Sequence, residues 1–448
     1  MLFNYLKVAF RNILRHKGYS FINISGLAIG ITCCVLILTY VLHELSYDRM
    51  FTNAENLYRV YITGRINEQP INFAVSMEPL SYAAVEEFPE VRKGVFIRAS
   101  HQRVTLKYDD QKFFEDEIMF ASPDFFSIFT FDLLQGSPEQ VLAVPNSIVL
   151  TKALAEKYFG DDDPIGKILS MNNQDDYQVS GIVADPPSNT HITFSGVCSM
   201  PKPELDGEDP WSSISGYTYF ELEKNTNLKG LEEKLFQLIA DRTGINLEEH
   251  GIIFTPLLQP VADIHLKSDL DYDNSGHGSM SYVITFSAIA LFILLIACFN
   301  FMNLTTSRSI NRSLEIGVRK VMGADRKRII FQFLGESIFL TIIASLISMV
   351  LIEILLPPFN TLVNKELTLE FTRGLSFIPL WATFIILTGI FAGSYPALYL
   401  SRFNPIIVIR GKAGSGKGKS GVRNSLVLIQ FIISITMIAS TGIIFQQL

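Results

Sequence analysis

The decapeptide GKAGSGKGKS, residues 411–420, carries the residue types of a phosphate-binding loop. In the pattern G-x-x-x-x-G-K-[ST], backbone N–H groups and a lysine cradle phosphates while the hydroxyl reaches Mg²⁺. Two registers each miss by one residue. Counting from Gly411, Gly416-Lys417 falls in place but Gly418 stands where the hydroxyl belongs; ending on Gly418-Lys419-Ser420, the first position is Ala413. His43-Glu44 opens like the zinc motif H-E-x-x-H, but Tyr47 holds the place of the second imidazole. DLDYDNSG (269–276) has the spaced carboxylates of a calcium loop. A loop begun at Asp271 puts Tyr282, and one begun at Asp269 puts Met280, where a bidentate Glu is needed. That cluster and Asp161-Asp162-Asp163, just before Pro164, read as solvated turns. No metal spacing, cofactor motif or catalytic constellation emerges, so the expectation is a protein that is not itself an enzyme.

The elements that must carry these residues explain the rest. Hydrophobic residues make up 48% of the 448 and charged ones 18%, against about 25% charged in soluble domains. The shortage is local. Uncharged runs occupy 18–42, 278–307, 374–401 and 424–448, each longer than the roughly 20 residues that cross a bilayer as helix. A fifth run, 329–357, is apolar apart from Glu336 and Glu353 near its ends, where a charge reaches the interface. Five membrane helices are expected. Cys33, Cys34 and Cys298 fall inside these runs, which leaves Cys198 alone outside them and excludes a disulfide within the large segment between the first two.

Charge sets an orientation. Segments 1–17, 305–328 and 401–424 together hold seventeen basic and two acidic residues; the remainder holds twenty basic and forty-two acidic. By the positive-inside rule the three basic segments are cytoplasmic. The first run is longer than the 7–15 residues of a signal peptide, and HELSYDRMF follows without a small-residue cleavage pattern, so it reads as an uncleaved anchor.

Between the first and second spans lies a segment of ordinary soluble composition. Strand-like runs occur at 57–62, 103–109, 147–150, 177–185, 217–223 and 252–257, and helical patterns at 78–88, 151–159 and 228–243. Thr151 is placed to cap the second helix and Gly160 to end it. Interspersed strands and helices predict an α+β domain, and its length predicts two subdomains.

SLEIGVRKVMGADRKRIIFQFLGES (313–337) lies between the second and third spans. Leu314, Val318 and Val321 recur at helical spacing, Gly323 breaks the pattern, and Asp325 is placed to cap the following helix. A short helix results, basic on one face and apolar on the other. Two readings stand side by side: an interfacial helix pinned by anionic lipid, or a docking helix for a cytoplasmic partner.

At these residues the chain resembles the FtsX/MacB-like permeases of ATP-binding-cassette systems, in the motif EIGVRKVMGADRKRI followed by QFLGES. Four further stretches resemble the Bacteroidetes-type branch: YLKVAFRNILRHKGYSFINISGLAIGI, ELSYDRMFTNAENLYRV, NSIVLTKALAEKYFGDDDPIGKIL and VSGIVADPPSNTHITF. SYPALYLSRFNPIIVIRGK, at the end of the fourth span, fits as well. The resemblance implies an α-helical integral membrane protein with a large α+β extracytoplasmic domain of the MacB periplasmic core type between the first and second transmembrane helices. It implies a cytoplasmic amphipathic N-terminus (1–18), spans at 19–43, 281–304, 329–356 and 377–400, the core domain at 44–280 and an external loop at 357–376. A coupling segment then occupies 305–328 and a basic cytoplasmic linker 401–424. A fifth span at 425–445, with Arg423-Asn424-x-Leu426 echoing Arg11-Asn12-x-Leu14, implies a second repeat and hence the first half of a longer, eight-span protein. The coupling role transfers to Leu314, Glu315, Val318, Arg319, Lys320, Val321, Gly323, Ala324 and Arg326.

The partners implied are a cytoplasmic ABC ATPase subunit, a second permease half or homodimer partner, a periplasmic adaptor and membrane lipids, with no nucleic acid. GKAGSGKGKS then reads as a flexible basic linker, since the bilayer begins where a phosphate loop needs a helix in water. The expected function is to transmit conformational change from the ATPase to the extracytoplasmic domain, for export or extraction of a substrate, at the inner membrane. The rival is an FtsX-like regulator that activates cell-wall hydrolases and transports nothing. A sensor reading fails for want of a cytoplasmic output domain.

Overall fold

The computed structural model describes residues 11, 17–66, 68–99, 103–203, 205, 211, 213–243, 252–273, 276, 278–307, 316–368, 377–401 and 421–447. The chain divides into two compact units, His43–Met280, and Met1–Leu42 together with Ser281–Leu448. Helix α1 (Lys17–Leu45) has no charge from Gly18 to Leu42.

The unit His43–Met280 is built on one mixed sheet. Its strands are β1 (Leu57–Ile66), β2 (Gln69–Phe73), β3 (Ser76–Met77), β4 (Val91–Ala99), β5 (Val104–Tyr108), β6 (Gln111–Glu115) and β7 (Ile118–Ala121). The second half adds β8 (Leu133–Gln135), β9 (Ser147–Thr151), β10 (Ile168–Met171), β11 (Asp175–Val183), β12 (Gly196–Ser199), β13 (Ile214–Leu222) and β14 (Ile252–Pro260). The order is β14-β1-β13-β4-β7-β12-β9-β11-β10-β5-β6, with β2 on β1, β3 on β13 and β8 on β11. β7 with β12 and β9 with β11 are parallel; the other pairs are antiparallel. The first and last strands are neighbours: β1 pairs with β14 from Tyr58↔Pro260 to Ile66↔Ile252.

Helices α2 (Leu80–Glu87), α3 (Phe125–Ile128), α4 (Lys152–Phe159), α5 (Leu228–Thr243) and α6 (Val261–Lys267) connect the strands. The Thr151 hydroxyl accepts from the Leu154 amide at 3.3 Å, and Gly160 closes α4 at φ +58°. On α5, Leu231, Leu235, Leu238 and Ile239 form one buried stripe at helical spacing. The two expected subdomains are instead one sheet with three apolar clusters. Single strands feed two clusters: β4 gives Val91 to one and Val95 and Ile97 to another, and β7 divides Met119 from Ile118. Length alone suggested a boundary that the shared strands abolish.

In the other unit, α1, α7 (Met280–Ser307), α8 (Arg326–Val363) and α9 (Phe377–Ser401) are long and apolar enough to cross a membrane. A fifth helix, α10 (Gly421–Gln447), has a described apolar part over 424–439, below the roughly 20 residues of a span. Leu27, Ile31 and Val35 of α1 cluster with Ala297 and Phe301 of α7, Leu340 and Ala344 of α8 and Ala392 of α9. Close approach depends on small residues: a Cβ on Gly30 would sit 2.4 Å from the Ala297 Cβ. Helix α8 runs through Pro357-Pro358 and past residue 356 to Val363, where Asn364, left-handed at φ 51°, ends it. Each proline forfeits one amide bond, yet in an apolar medium the rest of the helical ladder still outweighs an open backbone.

Candidate functional site

The stretch between α7 and α8 is the first candidate. Residues 316–321 form a short helix. It ends in a Schellman arrangement: the Ala324 amide donates to the Arg319 carbonyl at 2.9 Å and the Gly323 amide to the Lys320 carbonyl at 3.1 Å. Gly323 makes this turn at φ +89°, a region where a Cβ meets the backbone. Asp325 stands at the N-cap of α8 with extended dihedrals, but its side chain makes no cap hydrogen bond, contrary to the sequence expectation. The Asp325 carbonyl accepts from Ile329, so the backbone alone begins the helix.

The two faces of the short helix point opposite ways. Inward lies Ile316, 4% exposed, clustered with Ile329 and Phe333 of α8 and Ala397 and Leu400 of α9. Arg319 donates to Gln332 Oε1 at 2.6 Å, Lys320 to the Ser401 carbonyl at 2.7 Å, and Arg326 Nε to Ser401 Oγ at 3.3 Å. Burial, then the charge of Arg326, push the Lys320 ammonium pKa below the ordinary lysine value. Outward lie Val318, Val321 and Met322, 47%, 65% and 83% exposed. The wheel read from the sequence is present; its inner face is the cationic one. Leu314 and Glu315 lie outside the described residues, as does GKAGSGKGKS.

The second candidate is a set of buried polar groups in His43–Met280. Two stretches that carried the family resemblance, ELSYDRMF and NTHITF, meet here. Asp48 Oδ1 accepts from the Thr190 hydroxyl at 2.8 Å and the His191 amide at 3.0 Å, and lies 2.9 Å from His191 Nδ1. His191 Nε2 is 2.9 Å from the Tyr219 hydroxyl. Burial alone would raise the Asp48 carboxyl, but the His191 charge and the hydrogen bonds from His191 and Thr190 together hold it below the usual carboxylate range. Burial pushes Tyr219 far above the ordinary phenol value. Tyr219 is 2% exposed, so this Asp-His-Tyr line ends in the core, out of reach of a substrate.

Beside it, Arg59 on β1 is fully buried and grips Asp273 with both terminal nitrogens at 2.7 and 2.8 Å. Gln259 and Ser268 accept from the same guanidinium, and Ser268 donates to Asp273. Burial lowers the Arg59 pKa, but the Asp273 hydrogen bonds reverse that and raise it. The sequence reading made 269–276 a solvated turn. For Asp273 that is overturned, because its partner lies more than 200 positions away on another strand. The one signal was Arg59 itself, the only charge in the strand run LYRVYI. A third pair, His265 Nε2 with Glu44 at 2.8 Å, has Tyr47 stacked on the imidazole at 3.4 Å, and the His265 carbonyl accepts from the Gly278 amide.

A cavity of about 600 Å³ opens beside Asp273, walled by Phe73, Val75, Ile214, Tyr217 and Tyr272. Tyr272 is held at φ 59° with its carbonyl accepting from the Tyr217 hydroxyl. Burial, more than the nearby Asp273 charge, raises Tyr217 to about 12. Ser215 and Asp273, the latter engaged by Arg59, line it beside the aromatic and aliphatic walls.

Comparison with known proteins now bears on both candidates. Residues 20–237 match the MacB-like periplasmic core domain, and residues 287–405 match the FtsX-like permease C-terminal region. The chain belongs to the FtsX/MacB-like permease family. Among the permease's relatives, the macrolide export ATP-binding/permease protein MacB of Bdellovibrio bacteriovorus is 26% identical over 268 residues, covering 58% of this chain and 38% of that one. The pyoverdine export ATP-binding/permease protein PvdT of Pseudomonas syringae pv. tomato is 23% identical over 430 residues, covering 91% and 59%. The permease thus spans well under two thirds of either relative. A crystal structure of a permease-protein domain from Porphyromonas gingivalis aligns with TM-score 0.42 and 20% identity, over 47% of this chain and 91% of that one. With its four long apolar helices, the permease is a multi-pass membrane protein. The second matched region contains the 316–321 helix, and the first contains Asp48, Arg59 and His191.

Proposed function

We propose that the permease is the transmembrane subunit of an ATP-binding-cassette export system, driven by a cytoplasmic ATPase that docks on Val318, Val321 and Met322. The exposure of these three apolar side chains, Val318 and Val321 on the short helix and Met322 in the turn after it, carries the reading. Contiguous apolar exposure between polar neighbours marks an interaction site. Arg319, Lys320 and Arg326 hydrogen-bond to Gln332 of α8 and Ser401 of α9 and leave the apolar side chains as the contact. The names of the MacB and PvdT relatives, both export proteins with an ATP-binding part, support the direction of transport and the energy source.

Co-purification of the ATPase tests the reading. Val318→Asp places a charge in the contact and is expected to lower ATPase retention at least tenfold, about 1.4 kcal/mol, with the permease still in the membrane. Full retention by Val318→Asp rules the docking face out. Orientation has its own test. An impermeant thiol reagent on intact cells is expected to label a cysteine placed at position 210 and to leave one at position 417 unlabelled; the reverse pattern inverts the topology.

A further inference from the structure

The residue that receives two of the joint's cations is Ser401, the last of α9 and 1% exposed. Lys320 reaches the Ser401 carbonyl from the short helix, and Arg326 reaches the Ser401 hydroxyl from the first turn of α8. That hydroxyl donates in turn to the Leu398 carbonyl at 2.9 Å, continuing the contact into the last turn of α9. One residue is therefore held from both sides of the Gly323 turn. Ile316 packs beside the same turn, against Ala397 and Leu400.

The short helix needs such a hold. Isolated helices below about 12–15 residues are marginal in water, and 316–321 is far below that. Its outward face carries Val318 and Val321, 47% and 65% exposed, with Met322 just beyond. What fixes it is the inward stripe of Ile316, Arg319 and Lys320, at positions i, i+3 and i+4, of which Lys320 reaches the more distant helix.

We propose that Lys320 and Arg326 are positioning residues that clamp the 316–321 helix and the start of α8 to Ser401 of α9, so that the joint and α9 move as one piece. This rests on the docking reading above only for its purpose: a push on the outward stripe then reaches α9 directly, without first bending α8. The clamp itself is a property of the chain alone and is tested without the ATPase.

Hydrogen–deuterium exchange of the full chain in lipid nanodiscs is the measurement. The double variant Lys320→Met/Arg326→Met keeps the apolar stems and removes the donors. It is expected to speed amide exchange across 316–324 by about tenfold, and Lys320→Arg alone is expected to stay within about twofold of the parent chain because it retains a donor. A purely local stabilising role would stop there, so transmission is read separately. Gly323→Val strains the turn from a distance. With the clamp present it should speed exchange at 398–401, and in the Lys320→Met/Arg326→Met background it should leave 398–401 as that background has them, a non-additivity that marks coupled groups. An equal response of 398–401 to Gly323→Val in both backgrounds overturns the proposal, as does unchanged exchange at 316–324 in the double variant. Should the double variant fail to accumulate, Lys320→Met against Lys320→Arg decides on the same two segments. A failed clamp leaves the Val318→Asp result standing, and a failed docking face leaves the exchange result standing.

Discussion

Arginine is used in two ways in this permease, and the contrast separates a buried ion pair from a hydrogen bond to a neutral acceptor. Arg59 is fully buried and forked onto a carboxylate, with Gln259 and Ser268 also accepting from its terminal nitrogens. Taking both charges out of water is repaid only by that geometry, and removal of either partner strands the other. Arg326 is exposed and reaches the hydroxyl of Ser401, a neutral acceptor, at 3.3 Å. Such a contact is worth less and is made and broken with little desolvation. The His43–Met280 unit thus holds an ion pair whose breaking strands a buried charge, while the joint between α7 and α8 is held by hydrogen bonds to neutral acceptors.

If that contrast is right, the largest effect comes from breaking the fork. Asp273→Asn leaves Arg59 buried against a neutral amide and is expected to destabilise His43–Met280 by about 3–5 kcal/mol. Urea-dependent proteolysis of the full chain reads it, and Arg59→Met/Asp273→Met should recover more than half. Loss below about 1 kcal/mol for Asp273→Asn would erase the distinction between the two arginines.

Asp48→Asn comes next, at about 1–3 kcal/mol near neutral pH. The folded Asp48 pKa is lowered, so its contribution is present above the ordinary aspartate value of about 3.9 and is lost as pH falls through the lower folded value. The stability gap between parent and variant should close as pH falls below about 4. A gap that persists undiminished well below about pH 4 contradicts the assignment.

The smallest effects compare two helix starts. Thr151→Ala removes an observed cap and should cost about 1 kcal/mol, whereas Asp325→Ala removes none and should stay within about 0.5 kcal/mol, the share left to the helix dipole. Equal losses at both would mean that the Asp325 side chain caps α8 after all.

Local pattern explains which of these features could be read from the sequence. The stripe on α5, the Thr151 cap and the four long apolar helices follow from spacing within one element, and all were legible. The amphipathic wheel of 316–321 was legible too, but not which face turned inward. That depends on Gln332 and Ser401, acceptors supplied 13 and 81 positions away. Asp273 shows the same limit more severely, since nothing in DLDYDNSG encodes a guanidinium from β1. Strands such as β4, β7 and β12 escaped because their buried runs have no polar alternation to mark them.

The neighbouring of β1 and β14 also sets a clock. β1 emerges early in synthesis with only β2 at hand, and β2 covers no more than Ile62–Ile66 along one edge. The rest of that edge waits for β13, and the whole opposite edge for β14, about 200 residues later. At about 5–20 residues per second β1 stays half-paired for roughly 10–40 s, an interval in which Arg59 has no Asp273. The nascent permease therefore carries an open strand edge and an unpartnered cation for most of the time its ribosome takes to build the domain, and the bidentate fork closes only as the final strand arrives.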